Sequence, residues 1–264
     1  MPSVAALRIE IERTLEHRFP AALTPAPRTI REVAATGVAE VDALLAGGLP
    51  VGAISELTGP GSTGRTSLAL AFLARRTEEG QVCAWVDASD AFDPESAAAI
   101  GVSLKHLLWV RCRDASATNR IGLSQKSSTL KDKPWTRLEQ ALQATDLLLQ
   151  AGGFAAIVLD AGDLAPEQTS RIPLATWFRF RQAADRTRCS LIVLGKTAYA
   201  QSSAGVVLEC SQRHAQTAGG TVLCGFTYAA ERGRERFASA VPGVRKPPAS
   251  TWYAEARCAT EMRA

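Results

Sequence analysis

The chain has 264 residues, of which 46% are hydrophobic and 21% charged, a composition typical of a folded globular protein with one large core. Its net charge of +4 is too small to indicate nucleic-acid binding by itself. No apolar run approaches the roughly 18 residues that a membrane-spanning helix needs. Charged residues also interrupt the N-terminal region where a signal peptide would have its apolar core, so we expect a cytoplasmic protein.

The cysteines and histidines show no metal-ligand spacing, because no C-x-x-C pair occurs and the histidines lie far from every cysteine. Several cysteines fall in apolar, strand-like runs, where a buried thiol is the expected state. We therefore predict neither a metal site nor disulfides, as in a reducing compartment. The six cysteines are Cys83, Cys112, Cys189, Cys210, Cys224 and Cys258.

An amphipathic helix is predicted over residues 3–18, because apolar side chains recur there at helical spacing. These side chains are Val4, Leu7, Ile11 and Leu15. Three prolines then interrupt the chain, at Pro20, Pro25 and Pro27. Residues 1–34 are therefore interpreted as a helix and a proline-rich linker, which pack either on their own core or on a neighbouring molecule.

Residues 35–240 are predicted to form the core, in which short apolar runs alternate with helical patterns. We expect strands at residues 53–57, 81–87, 107–112, 154–160 and 190–195, and helices at residues 66–76, 135–150 and 174–186. Near-continuous apolar strands that alternate with helices predict an α/β fold, with a mainly parallel central sheet and helices on both faces. Later antiparallel strands are expected at residues 205–210 and 221–229, a polar loop insertion at 113–134, and a C-terminal tail at 241–264.

A phosphate-binding loop is predicted at residues 59–67, GPGSTGRTS, which match G-x-x-x-x-G-K-[ST] except that Arg65 replaces the lysine. Glycines let the backbone curl so that successive N–H groups point at an anion, and the N-terminus of the following helix adds partial positive charge. The flat guanidinium group of arginine is bulkier in a tight loop than the ammonium group of lysine. The residues assigned to this loop are Gly59, Gly61, Gly64, Arg65, Thr66 and Ser67.

Two interpretations of the loop stay open. The loop is either an atypical site for ATP and magnesium or an inherited turn without a ligand. In the first interpretation, the Thr66 hydroxyl group would face the magnesium ion. Asp160, which ends the predicted strand 154–160, is assigned to the second magnesium-associated position.

The residues around this loop resemble bacterial RecA recombinases. The resemblance rests on TG at 36–37, GGLPVG at 47–52, GP at 59–60 and WVDASDAFDP at 85–94. It covers residues 36–110 and continues more thinly through Asp160. The resemblance implies a RecA-like P-loop core.

The same resemblance reveals changes at positions on which ATP hydrolysis and DNA strand exchange would depend. A water-activating glutamate of the recombinases corresponds to Ser89, which cannot usefully accept a proton at neutral pH. The neighbouring Asp90 is expected to point to the opposite face of the strand. A nucleotide-sensing Asn-Gln pair corresponds to Gly195-Lys196, and the two DNA-gripping loops correspond to residues 161–173 and 197–204, which are too short to spread a DNA strand.

This combination of changes resembles the pattern of ImuA, the RecA-like member of the bacterial mutagenesis cassette. This resemblance implies a non-catalytic accessory protein of translesion synthesis under SOS control, whose partners would be RecA, the polymerase-like adaptor ImuB, or further copies of itself. One alternative is an atypical DNA-dependent ATPase that uses Arg65 and Asp90. The other is a SulA-like inhibitor of cell division that binds FtsZ, although SulA-type chains are usually shorter and lack a phosphate loop.

A contact with single-stranded DNA is predicted at Arg232, Arg234 and Arg236, which would share one face of a strand and offer three guanidinium groups to phosphates. The alternative is a charged sheet edge that prevents pairing with other strands. In the tail, Trp252 and Tyr253 either anchor a partner or cover the protein's own core.

Overall fold

The computed structural model describes residues 31–113, 136–162, 164–218, 222–235 and 249–255. The predicted N-terminal helix, the polar insertion from residue 114 onwards, Arg236 and most of the predicted tail lie outside these residues. No helix within the described ranges is long and apolar enough to cross a membrane.

Ten strands and six α-helices make up the described structure. The strands are β1 (Val33–Ala34), β2 (Leu49–Pro50), β3 (Ile54–Thr58), β4 (Cys83–Asp87), β5 (Leu107–Arg111), β6 (Ala156–Asp160), β7 (Ser190–Gly195), β8 (Ala204–Ala218), β9 (Val222–Glu235) and β10 (Ala249–Glu255). The helices are α1 (Ala39–Leu45), α2 (Arg65–Glu78), α3 (Pro94–Ile100), α4 (Arg137–Ala151), α5 (Pro166–Thr169) and α6 (Leu174–Thr187).

Eight of the strands form one sheet in the order β10-β9-β8-β3-β7-β6-β4-β5, and β1 pairs separately with β2. The strands from β8 to β5 are parallel to their neighbours, whereas β9 is antiparallel to both β8 and β10. The predicted α/β architecture, with a mainly parallel sheet and an antiparallel C-terminal extension, is confirmed. Because β3, β6 and β7 are parallel, their carboxyl ends meet at one edge, where ligands of such sheets bind.

Local sequence signals explain where the helices begin. Thr136 and Glu139 form a reciprocal capping box at the start of α4. Asp93 caps α3 by accepting hydrogen bonds from two main-chain N–H groups, and Pro94 occupies the first turn. Helix α2 starts directly from Gly64 of the predicted phosphate loop.

The core consists of two apolar layers, one on each face of the sheet. Helices α1, α2 and α3 pack on one face, around Phe72 and Trp85. Helices α4 and α6 pack on the other face, around Trp177 and Phe180. Strands β4, β6 and β7 between them are buried on both faces, which is why their sequences are almost continuously apolar.

The C-terminal strands differ from the prediction. Strands β8 and β9 are longer than expected, because residues 211–218 continue the strand as an exposed polar ribbon with no apolar signal. Strand β8 is also parallel to β3 rather than antiparallel to all its neighbours. From the predicted tail, Trp252 lies in β10 and packs against Tyr228, with ring centroids 5.5 Å apart, whereas Tyr253 stays exposed.

Candidate functional site

The loop at residues 59–67 leaves the carboxyl end of β3 and curls into α2. Gly59 and Gly64 have φ angles of 145° and 83°, and Ser62 also adopts a left-handed conformation. A Cβ atom on Gly59 would lie 2.3 Å from the Cys210 carbonyl oxygen, and one on Gly64 would lie 2.7 Å from the Tyr228 ring. Packing against β8 and β9 therefore fixes the shape of this loop independently of any ligand.

The loop keeps the main-chain groups that an anion requires. Among the described residues, none of the N–H groups of residues 61–67 donates a hydrogen bond to another protein group. They surround the N-terminus of α2, which has 14 residues. A Cβ atom on Gly61 would meet nothing within 4 Å, so the space above the loop is open. This geometry suits a phosphate group.

The side chain of Arg65 lies away from this open space. Arg65 is buried, and its Nη1 donates a hydrogen bond of 2.5 Å to the carbonyl oxygen of Gly195 at the end of β7. That same oxygen accepts a hydrogen bond of 3.2 Å from the Gly59 N–H group. The guanidinium group therefore ties the loop to the neighbouring strand, whereas a P-loop lysine would reach the terminal phosphates.

Asp160 lies at the end of β6, on the other side of the Arg65 side chain. A Cβ atom added to Gly162 would lie 3.2 Å from Asp160 Oδ1 and 3.4 Å from Arg65 Nη1, so both groups border the same small space. Asp160 Oδ1 also accepts hydrogen bonds from the Gly162 N–H group (3.0 Å) and the Ser89 hydroxyl group (3.3 Å). The structure thus brings Arg65, Ser89 and Asp160 together, and a cationic guanidinium group borders the position assigned to magnesium.

Asp90 does not take over the role of the missing glutamate. It has a φ of 55° and forms an ion pair with Arg111 on the edge strand β5, away from the phosphate loop. The hydrogen bond from Arg111 lowers the pKa of Asp90 below its usual value. A carboxylate that is both turned away and weakly basic cannot activate a water molecule at the loop.

Glu56 holds a central position in the structure, although no motif in the sequence indicates a role for it. This fully buried side chain on β3 accepts hydrogen bonds from the main-chain N–H groups of Tyr199 (2.5 Å) and Ala200 (2.9 Å). Burial raises the pKa of Glu56, although the two backbone hydrogen bonds oppose this effect. Its second carboxylate oxygen, Oε2, is buried and has no hydrogen-bond partner among the residues that the structure describes. The sequence signal that could have indicated this role is a charged residue within a strand that is otherwise predicted to be buried.

The segment that follows β7 is held closely against the core. The Tyr199 hydroxyl group accepts a hydrogen bond of 3.1 Å from the Lys196 N–H group, and the Tyr199 ring covers Gly195. The Lys196 side chain is exposed and borders an open cleft of about 460 Å³ that reaches Gly59, Glu209 and Glu231. Together with Glu56, Tyr199 fixes the short segment that corresponds to a DNA-gripping loop in the resemblance.

The arginines of β9 do not share one face, so that part of the DNA-contact prediction is wrong. Gly233 forms a β-bulge, because Arg232 pairs with Leu208 whereas Arg234 pairs with the adjacent Val207. Arg232 accordingly donates to the Leu44 carbonyl oxygen on the α1 face, and Arg234 donates to the Gln201 carbonyl oxygen on the α6 face. Arg236 lies outside the described residues.

The residues present fit a phosphate group better than a magnesium-bound nucleotide. The open main-chain N–H groups and the space above Gly61 suit an anion. The Thr66 hydroxyl group lies in the first turn of α2, as the motif requires. The guanidinium group of Arg65 beside Asp160 places a positive charge where a magnesium ion would need a free carboxylate.

Comparisons with known proteins agree with this fold. The sequence model of the protein family described as RecA N-terminal domain matches residues 9–170 of this chain. Protein RecA of Allorhizobium ampelinum is 31% identical over 180 residues, which cover 62% of this chain and 43% of that protein. Protein RecA of Brucella canis has the same identity over 44% of its length. The chain thus spans less than half the length of the curated relatives it matches.

A solved structure described as the RadB recombinase superposes with a TM-score of 0.56 at 17% sequence identity, over 84% of this chain and 94% of that chain. This likeness concerns the fold alone. The family model, however, matches more than half of the chain. The chain therefore belongs to the family defined by the RecA N-terminal domain.

Proposed function

We propose that this protein is a non-catalytic RecA-family accessory protein of DNA-damage tolerance, which acts through protein contacts and not through ATP hydrolysis. The observation that carries the proposal is the position of Arg65, whose guanidinium group is bonded to Gly195 and borders Asp160. In that position the only cationic side chain of the loop motif bonds to the protein itself and does not face the space for a nucleotide. Transfer of a terminal phosphate requires such a cation on the nucleotide.

Two further contacts support the loss of hydrolysis. The hydroxyl group of Ser89 is bonded to Asp160 at the position where the resemblance expects a general base. Asp90, the nearest alternative, is paired with Arg111. Without a group that can accept the proton of the attacking water, a bound nucleotide would not be cleaved at an appreciable rate.

The ImuA-type resemblance supplies the partners of the proposal, RecA or an ImuB-type polymerase adaptor. The short segment after β7 supports a role without strand exchange, because Glu56 and Tyr199 hold it against the core. A pull-down of the purified chain with each purified partner measures this directly. Failure to bind either partner contradicts the ImuA-type role and leaves the conclusion about hydrolysis unaffected.

Hydrolysis is tested by measuring phosphate release with and without single-stranded DNA. We expect no turnover above that of a blank preparation for the wild-type chain. DNA-stimulated turnover that disappears in Asp160→Ala would overturn the proposal and support the atypical ATPase. That alternative is favoured by one observation, the open main-chain N–H groups of residues 61–67.

A further inference from the structure

The outer surface of α4 and α6 carries exposed apolar side chains without a covering element among the described residues. Leu147 on α4 is 62% exposed, and Phe178 on α6 is 50% exposed. Leu174 lies one turn before Phe178 and is 53% exposed. Large apolar side chains that cluster on one surface mark a contact site more often than isolated ones do.

Leu147 and Phe178 lie on the same side of the helix pair α4 and α6. The two helices are joined by an ion pair of 2.9 Å between Asp146 and Arg179, and by a hydrogen bond between Gln150 and Arg186. Because both contacts advance in the same chain direction, the helices run parallel. Leu147 follows Asp146, and Phe178 precedes Arg179, so the two apolar side chains lie at the same level on either side of the ion pair. We call the surface formed by Leu147, Leu174 and Phe178 the α4–α6 surface.

The N-terminal part of the chain enters the described structure beside this surface. Arg31 is fixed at the last turn of α6 by an ion pair of 2.6 Å with Asp185. It also donates hydrogen bonds to the carbonyl oxygens of Gly52 (2.7 Å) and Val51 (3.2 Å). The described structure therefore starts, at Arg31, near the carboxyl end of the same helix that carries Leu174 and Phe178.

We infer that the predicted amphipathic helix at residues 3–18 docks on the α4–α6 surface of its own chain. Its apolar stripe of Val4, Leu7, Ile11 and Leu15 supplies the side chains that the surface lacks. The surface thus has one occupant, the N-terminal helix of the same molecule.

The length of the linker is consistent with docking within one chain. Residues 19–30 can span up to about 40 Å at roughly 3.3 Å per residue. Asp185 and Phe178 are seven helical residues apart, a separation of only about 10 Å at 1.5 Å per residue. A short linker also keeps the helix at an effective concentration near the millimolar range, which favours its own chain over a second copy.

Photo-crosslinking in the full chain tests this docking. A benzoylphenylalanine at position 8, next to the apolar stripe, is expected to link to residues of α4 or α6 within the same molecule. The yield should not change over a hundredfold dilution, and it should fall at least fivefold in the double variant Leu147→Asp/Phe178→Asp. The same probe at position 13, on the opposite side of the predicted helix, should link several-fold less.

A matched control separates this contact from a general effect of surface charge. Leu104 is 45% exposed and follows Ser103, whose N–H group bonds to Thr77 of α2 on the opposite face of the sheet. Leu104→Asp should therefore leave the crosslink unchanged. The thermal unfolding curve of each variant verifies folding, and all three positions are exposed enough to accept aspartate. Links between two chains that grow with concentration, links to other elements, or the absence of links would each overturn the inference.

Discussion

The phosphate loop at residues 59–67 and the end of β4 at residues 87–90 lie at the same edge of the sheet but have changed in different ways. The loop keeps its backbone shape, because Gly59 and Gly64 have no room for a side chain against Cys210 and Tyr228. The end of β4 keeps its path, but the expected carboxylate is a serine bonded to Asp160. Packing thus dictates the backbone shape of the loop, whereas no packing constraint requires a carboxylate at position 89.

The largest effect is expected when the packing of the loop is broken. Gly64→Ala places a Cβ atom at a φ of 83° and 2.7 Å from the buried Tyr228 ring. Strain and overpacking together should lower the free energy of unfolding by about 2–4 kcal/mol. Chemical denaturation measures the loss.

Gly61→Ala is the matched control, because its Cβ atom meets nothing within 4 Å. It should change the free energy of unfolding by no more than about 0.5 kcal/mol, as at most exposed positions. Equal losses in the two variants would show that packing does not hold the loop in place.

A second prediction concerns the two described arginines of β9. Because Arg232 and Arg234 lie on opposite faces of the sheet, the phosphates of one DNA strand cannot contact both side chains at once. If β9 contacts DNA, only one of the single variants Arg232→Ala and Arg234→Ala should weaken binding of single-stranded DNA. That variant should also reduce the salt slope by about 1. Binding titrations at several salt concentrations measure both effects, and unchanged binding in both variants would rule out this surface.

A third prediction uses Glu56, whose pKa is raised by burial. A folded-state pKa above the unfolded value means that the protonated group favours folding. This contribution is fully present below the unfolded pKa and is lost as the pH rises through the folded pKa. Glu56→Gln should therefore match the wild type in acid and become relatively more stable as the pH rises, in unfolding experiments at several pH values.

Glu56→Ala is the contrasting variant. It leaves the buried N–H groups of Tyr199 and Ala200 without an acceptor, at a cost of about 1–3 kcal/mol for each unsatisfied group. A Glu56→Gln variant that is as unstable as Glu56→Ala at neutral pH would show that the negative charge is required.

Much of the fold could be predicted from the sequence, because the buried strands β4, β6 and β7 are almost continuously apolar and the glycines of the loop have a recognisable spacing. The exposed ribbon of β8 and β9 carries no such signal, because its polar side chains face solvent and only its main-chain groups pair with the neighbouring strand. The bulge at Gly233, which separates Arg232 from Arg234, depends on the register of two strands and not on local sequence.

The residues of the candidate site could be predicted from the sequence, but the contacts between them could not. The motif identified Arg65 and Asp160, and the resemblance identified Ser89. The contact between Arg65 and the Gly195 carbonyl oxygen joins residues 130 positions apart, and no local pattern specifies it. The role of Glu56 likewise depends on a partner segment that only the folded chain brings close.

For nucleotide binding, as distinct from hydrolysis, the phosphate loop has its main-chain N–H groups open and lacks only a suitably placed cation. Calorimetric titration of ATP, with and without magnesium, tests it in the wild type, Arg65→Lys and Arg65→Lys/Asp160→Asn. We expect weak, magnesium-independent binding by the wild type, an affinity at least tenfold higher and dependent on magnesium in Arg65→Lys, and loss of that dependence in the double variant. Magnesium-dependent binding by the wild type that is as tight as binding by Arg65→Lys would contradict the claim.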